Sequence, residues 1–342
     1  MKIGVLGLGF MGSTHLQGIE GIPDAQLVAV MDGDPKRLSG DLSGIQGNLG
    51  GPGRKLDFSG VARYGSVEEI LADASVEAVD ICLPTHLHAP IAIQALQAGK
   101  HVLVEKPMAL SGADADRMSA EAAKSGRVLM VAHVLRFLEP YRELTRLVKG
   151  RLGAVRSCLF RRRTAVPTWG PWEFDKAKSG GGVYDLLIHD VDMALSLFGV
   201  PTAISATGHE AMAEGVDMIT SEFHYPDIGS VTITGGWHHV GKYPFSMEYT
   251  VVAEKGVVEF SSAGHPATVY WSDGSSEALA ASDADPYQRE IEHFVACCRM
   301  GTQPEAGAPA DSALAVTAGL AMVEARSRRG DKIPFGLAAG SA

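Results

Sequence analysis

No apolar run in this chain approaches the eighteen or so residues needed to cross a bilayer, so a helical membrane protein is excluded. Cysteine is scarce: four in 342 residues, at Cys82, Cys158, Cys297 and Cys298, with no Cys-x-x-Cys spacing. A disulfide scaffold or a zinc ribbon is therefore not expected, and the four read as reduced thiols of a cytoplasmic protein. Positive charge is in deficit, with 30 Lys and Arg against 40 Asp and Glu and a formal net charge of −10. That balance argues against nucleic acid or an anionic membrane as a partner. No segment repeats at a solenoid period. An apolar strand starts at Lys2, which leads us to expect no secretory signal peptide. The length suggests two domains, each with room for a sizeable core.

What is present begins with that strand. Lys2–Leu6 runs into Gly7-Leu8-Gly9-Phe10-Met11-Gly12, and a helical stretch follows. G-x-G-x-x-G between a strand and a helix is the setting a dinucleotide needs. Gly7 permits a tight turn, Gly9 lets backbone approach a pyrophosphate, and Gly12 lets the helix pack on the strand. Phe10 and Met11 lie at the start of that helix, whose N–H groups and positive dipole end face the phosphates. A second strand, Gln26–Met31, ends at Asp32, about twenty residues past the last glycine, where a carboxylate takes the ribose hydroxyls. Asp32 repels a 2′-phosphate, so NAD is expected. Lys36 and Arg37 leave NADP possible, although a solvated turn accounts for them more simply.

Strands and helices alternate to about Arg151, with near-continuous apolar strands at Ala78–Leu83, His101–Val104 and Val128–Ala132. This is βαβ repetition and calls for a parallel sheet covered on both faces. The glycine-rich stretch 39–60 reads as an exposed loop near the adenine end. Beyond Pro201 the pattern becomes alternating runs separated by turns, which fits an open, mainly antiparallel sheet with helices on one face. The fold class is α/β: a Rossmann domain over residues 1–132, then an α/β domain over 133–342. The last helix is a candidate to pack back on the first domain.

Two places carry chemistry. Gly180-Gly181-Gly182 opens a helix on which Asp185 and His189 stand four residues apart, hence on one face, among apolar neighbours. A histidine held beside a carboxylate can act as a general base; a metal site or a surface ion pair is the plainer reading. No further histidine or cysteine lies close enough to complete a zinc site, so no metal is expected. Ligands of a parallel α/β sheet bind beyond the carboxyl ends of its strands. Pro84-Thr85-His86-Leu87-His88 follows one such end and Glu105-Lys106-Pro107 the next. A lysine there could stabilise charge on a reacting oxygen.

Taken in order, the glycine fingerprint, Pro84–His88, Ala98–Pro107, Gly180…Asp185…His189-Asp190 and Asp285–Phe294 resemble the glucose–fructose oxidoreductase / inositol dehydrogenase (Gfo/Idh/MocA) family across nearly the whole chain. The resemblance implies NAD(P)-dependent hydride transfer to or from a secondary hydroxyl of a sugar, cyclitol or related polyol. It also implies a homodimer or homotetramer joined through the open sheet. Lys106 matches the lysine that polarises the hydroxyl, His189 the general acid/base and Asp185 the carboxylate that orients both. Pro84, Thr85, His88 and Glu105 join the cofactor side, Arg136 matches an arginine lining the cleft, and Tyr287 is placed on the substrate side. From their loop position, Trp169 and Trp172 could cover the apolar side of a sugar ring or simply pack the loop. Val134 departs from the pattern, since many members carry asparagine there. Arg161, Arg162 and Arg163 could recognise an anionic substrate. Two other readings stay open: glycoside cleavage through a transient keto sugar on tightly held NAD, and a non-catalytic dinucleotide-binding sensor.

Overall fold

A computed structural model describes residues 1–45, 47, 53–167 and 170–336. Internal contacts divide them into two compact units. The first is Met1–Phe137 with Ala284–Ala313; the second is Leu138–Asp283 with the described residues from Leu314 on.

The first unit holds six strands, β1 (Lys2–Leu6), β2 (Gln26–Met31), β3 (Ala62–Tyr64), β4 (Ala78–Ile81), β5 (His101–Glu105) and β6 (Leu129–Ala132). All pair in parallel, in the order β3-β2-β1-β4-β5-β6. The order reverses between β1 and β4, which is where an open parallel sheet leaves a crevice for a ligand. The connections carry α1 (Phe10–Glu20), α2 (Pro35–Leu38), α3 (Val67–Ala72), α4 (His88–Gln97) and α5 (Gly112–Ser125). Local chemistry sets their limits. Ser66 and Glu69 form a reciprocal capping box on α3; Ser111 caps α5, and Gly126 closes it in the left-handed region. The stretch 39–60, expected as an exposed loop, is in part anchored. Leu42 and Phe58 are buried in the core, and Asp41 bridges Lys55. Residues 46 and 48–52 lie outside the described residues.

The second unit starts with α6 (Glu139–Lys149), β7 (Val155–Thr164), α7 (Lys176–Ser179) and α8 (Gly182–Phe198). The strands β8 (Ala203–Ala211), β9 (Val216–His224), β10 (Ser230–His238), β11 (Ser246–Ala253), β12 (Gly256–Ser261), β13 (His265–Trp271) and β14 (Ser276–Ala278) follow. The chain then forms α9 (Pro286–Met300), α10 (Pro309–Ser327) and β15 (Ile333–Pro334). The nine-stranded sheet runs β14-β13-β12-β11-β7-β10-β9-β8-β15. Only β7 and β10 pair in parallel; the other neighbours are antiparallel. Its strands alternate buried and open residues, as a sheet covered on one face requires, and α8 lies against β7, β9 and β10.

Helix α9 belongs to the first unit. Ile291, Phe294, Val295, Cys297 and Cys298 pack into one core with Ile3, Leu16, Ile19 and Leu103. All four cysteines are free thiols. Among the described residues no helix is long and apolar enough to cross a membrane.

The triple glycine before α8 has a steric reason. Gly181 sits at φ 99°, and a Cβ on Gly182 would stand 2.3 Å from the indole of the buried Trp237. Gly182→Ala should therefore overpack this contact and destabilise the protein by about 1–3 kcal/mol. A urea-denaturation midpoint equal to that of the wild type would contradict the assignment.

Candidate active site

In the first unit the chain leaves β1 through Gly7 at φ 90° and enters α1 at once. A Cβ on Gly12 would lie 1.9 Å from the Gly7 carbonyl oxygen, so helix and turn touch backbone to backbone. A Cβ on Gly9 would meet nothing within 4 Å: the space over the turn is open. Helix α1 has no side-chain cap and no acidic residue in its first turn, where Phe10 and Met11 are half-buried. A positive helix end without a side-chain cap, beside open space, fits the pyrophosphate of a dinucleotide. Asp32 secures the turn. Its Oδ2 accepts the Leu8 N–H at 2.7 Å and its Oδ1 the Asp34 N–H at 2.8 Å. Arg37, expected in a solvated turn, instead places Nη1 3.5 Å from Asp32 Oδ2.

At the carboxyl ends of β4 and β5, Thr85 is buried at the start of a short 3₁₀ turn and Pro84 is half-buried beside it. His88 departs from its expected place on the cofactor side. Its ring nitrogens lie 2.7 Å from the Leu83 carbonyl and 2.8 Å from that of Pro107, so the side chain ties two loops together. Burial lowers its pKa. Glu105 is buried too and also bonds to protein: its Oε2 accepts the Lys106 N–H at 3.0 Å. Lys106 is half-buried, and its bond to Pro107 is cis. Arg136 closes a 3₁₀ turn just after β6.

Sequence reasoning missed His15 and Asp80. His15, on the buried face of α1, has no exposed surface. Its Nδ1 is 2.8 Å from Asp80 Oδ2 on β4, and its Nε2 is 3.1 Å from Glu105 Oε1. Burial is the largest single influence and opposes charge on the ring, but Asp80 and Cys82 together outweigh it and the pKa stands well above the ordinary imidazole value. Burial likewise works to raise Glu105, and bonding to His15 reverses the direction, leaving it lowered. Tyr287, expected on the substrate side, packs its ring 6.1 Å from His15, and burial raises its phenol. Donor atoms of His15, Asp80 and Cys82 lie within 4.8 Å of one another. They are bonded to each other, however, and burial raises the Cys82 thiol, so a metal would have to displace these bonds. A charged residue amid the apolar Ala78-Val79-Asp80-Ile81 was the available signal.

In the second unit, α8 is buried from Gly182 to Leu195 except at Asp185 and His189. The expected pair is thus a half-buried stripe, one turn apart, on a helix otherwise committed to the core. Two buried charges fix that helix. Arg162 of β7 binds Asp190 bidentately at 2.7 and 3.0 Å. Asp217 of β9 accepts the Val183 N–H at 2.9 Å and pairs with Arg326. The three arginines are therefore not an anion site: Arg162 belongs to Asp190, while Arg161 and Arg163 both pair with Glu248 on the opposite face. Trp172 is half-buried on a 3₁₀ turn, where the Phe174 ring is tilted against that of Trp237. Trp169 lies outside the described residues.

Comparison with known proteins agrees with this arrangement. Residues 1–133 match the GFO/IDH/MocA oxidoreductase family with an NAD-binding Rossmann fold, and residues 141–259 match the GFO/IDH/MocA C-terminal domain. Myo-inositol 2-dehydrogenase of Thermotoga maritima is 31% identical over 224 residues, which span 65% of this chain and 60% of that enzyme. The NAD(+)-dependent scyllo-inositol 2-dehydrogenase of Bacillus subtilis is 28% identical over 89% of this chain and 88% of its own. Levoglucosan dehydrogenase, solved with NADH and levoglucosan, shares the fold with a TM-score of 0.82 at 19% identity, covering 98% of this chain and 99% of its own.

The His15 cluster makes stability depend on pH. His15 is charged in both folded and unfolded chains below its ordinary value of about 6.5, and its contribution is then whole. The contribution is lost as pH climbs through the raised folded value. Glu105, lowered in the fold, contributes above its ordinary carboxylate range and loses that as pH falls through the lowered value. Melting temperatures of the wild type should therefore fall relative to His15→Gln as pH rises from about 6.5. A difference that stayed constant across that range would contradict a protonated His15.

Proposed function

This chain belongs to the GFO/IDH/MocA family of oxidoreductases, and on that premise we propose that it is an NAD(P)-dependent dehydrogenase of a sugar, cyclitol or related polyol. The observation that carries the reading is α8, a helix buried from Gly182 to Leu195 except at a carboxylate and an imidazole one turn apart. A general acid/base with an orienting partner is what proton removal from a hydroxyl requires. His189 takes the hydroxyl proton in oxidation and returns it in reduction; Asp185 orients the imidazole and the substrate. Lys106 stabilises the negative charge that grows on the oxygen. A bound nicotinamide supplies the hydride acceptor or donor. Backbone at Gly7, Gly9 and Gly12 and the N-terminus of α1 hold the pyrophosphate, and Asp32 takes the ribose hydroxyls, favouring NAD. Arg37 beside Asp32 leaves NADP usable.

The substrate class rests on the inositol dehydrogenases among the relatives, which act on ring secondary alcohols. Arg136 and Trp172 are the side chains assigned to the substrate; Tyr287 is left to the buried cluster. We place the enzyme in the cytoplasm, as a homodimer or homotetramer. Register puts Leu159, Met218, Val252 and Tyr270 on the open face of the nine-stranded sheet, each more than a third exposed. That face is the one assigned to the subunit contact.

The test is reduction of NAD and NADP by a panel of inositols, aldoses and sugar acids, followed at the nicotinamide absorbance. NAD should be preferred, and at least one cyclic polyol should turn over. His189→Ala and Lys106→Met should each lower kcat by about 10²–10⁴-fold, with NADH binding retained. Oxidation should speed up as pH rises and His189→Ala should flatten that dependence. A variant with wild-type turnover and an unchanged profile would remove its residue from the mechanism.

A further inference from the structure

The buried charges under α1 have a geometric consequence for the residue that follows β5. The ladder from β4 to β5 ends at the pair Ile81 and Val104, and that from β5 to β6 at Glu105 and Ala132. Lys106 is the first residue beyond both, and its backbone nitrogen meets a side-chain acceptor there. Glu105 supplies the acceptor, with Oε2 3.0 Å from that nitrogen. The other oxygen of that carboxylate lies 3.1 Å from His15 Nε2, an ion-pair contact without hydrogen-bond alignment, and His15 Nδ1 is bonded to Asp80 Oδ2 at 2.8 Å. Cys82 donates its thiol proton to the remaining Asp80 oxygen at 3.5 Å, and the Tyr287 ring lies against the imidazole.

Two carboxylates 1% and 5% exposed cannot share so small a volume without a cation between them. A neutral imidazole can bond to Asp80 alone; an imidazolium keeps that bond and sets a positive charge beside Glu105. His15 is the only ring in contact with both among the described residues. A chain of contacts then runs from α1, whose N-terminus would face the dinucleotide, through His15 and Glu105 to the backbone from which Lys106 projects.

We propose that His15 is a positioning residue for Lys106: by bridging Asp80 and Glu105 it locks the Glu105 carboxylate onto the Lys106 N–H and so fixes where the lysine starts. The catalytic consequence rests on the role given to Lys106 above; the bridge itself does not. No step of the reaction passes through His15, which keeps its proton throughout.

Two measurements test the bridge without turnover. Nitrogen-15 NMR of histidine-labelled protein should show His15 with both ring nitrogens protonated at neutral pH. Hydrogen exchange should find the Lys106 amide at least about tenfold faster in His15→Gln and His15→Met, since the opening it reports is local, while Val102–Val104 remain protected. The kinetic arm uses NAD with myo-inositol, or with another panel polyol that reduces NAD. There kcat should fall by about 10–100-fold, the usual cost of losing a residue that orients a functional group, with the NADH dissociation constant within about threefold of the wild type. The deuterium isotope effect on kcat should rise, which a mere loss of folded protein would not produce. A neutral His15 ring, or a Lys106 amide that exchanges as in the wild type in a folded His15→Gln protein, would overturn the proposal. Should the bridge persist while Lys106→Met turns over normally, the failure would belong to the role of Lys106 and not to the bridge.

Discussion

A buried carboxylate that accepts a backbone N–H from a glycine turn is the constraint on which both halves of this protein depend, and it occurs twice. Asp32 binds the N–H of Leu8, inside the turn that opens α1; Asp217 binds the N–H of Val183, just after the turn that opens α8. Glycine turns have no side chains to hold themselves in place, and their exposed N–H groups need partners. A charge-assisted bond to a carboxylate that a strand has already fixed meets both needs. In each case the element behind the turn is a helix, and the carboxylate sets where that helix begins.

Those carboxylates are themselves buried, which is costly unless each is matched. The matches are specific. Asp217 pairs with Arg326, and Asp190, one residue past His189, pairs bidentately with Arg162. Removing Arg162 would strand a charge directly behind the proposed base. Asp185 and His189 thus stand on a helix whose start and middle are both tied to the sheet by buried ion pairs.

Much of this was legible in the sequence. The glycine fingerprint, Asp32 and the apolar strands around Val79, Val102 and Met130 announced the parallel sheet, because buried parallel strands need continuous apolar runs. The spacing of Asp185 and His189 announced one helical face. Less legible were features settled by packing across long sequence distances. Residues Pro286–Met300 make an amphipathic helix whose pattern does not say which core will receive it; Ile291 and Phe294 pack beside Ile3 and Leu103. The arginines of β7 alternate in sequence, but only the sheet register shows Arg162 facing Asp190 while its neighbours face Glu248. His88 and Tyr287 look like ligand residues by motif, yet their surroundings turn them onto backbone carbonyls and onto His15. Strands β13 and β14 and helix α6 are not marked in the sequence pattern; β14 is only three residues long and exposed throughout, and β13 buries only two of its seven residues, Ala267 and Val269.

The central claim is that this chain moves a hydride directly between a ring carbon and a nicotinamide. The most direct measurement is isotopic: incubate the protein with NAD and a panel polyol deuterated at its carbinol carbons, then weigh the reduced nucleotide. Direct transfer predicts NADH one mass unit heavier, with the label at C4 of the nicotinamide on a single face. Unlabelled NADH, or product released with no reduced nucleotide at all, would contradict it.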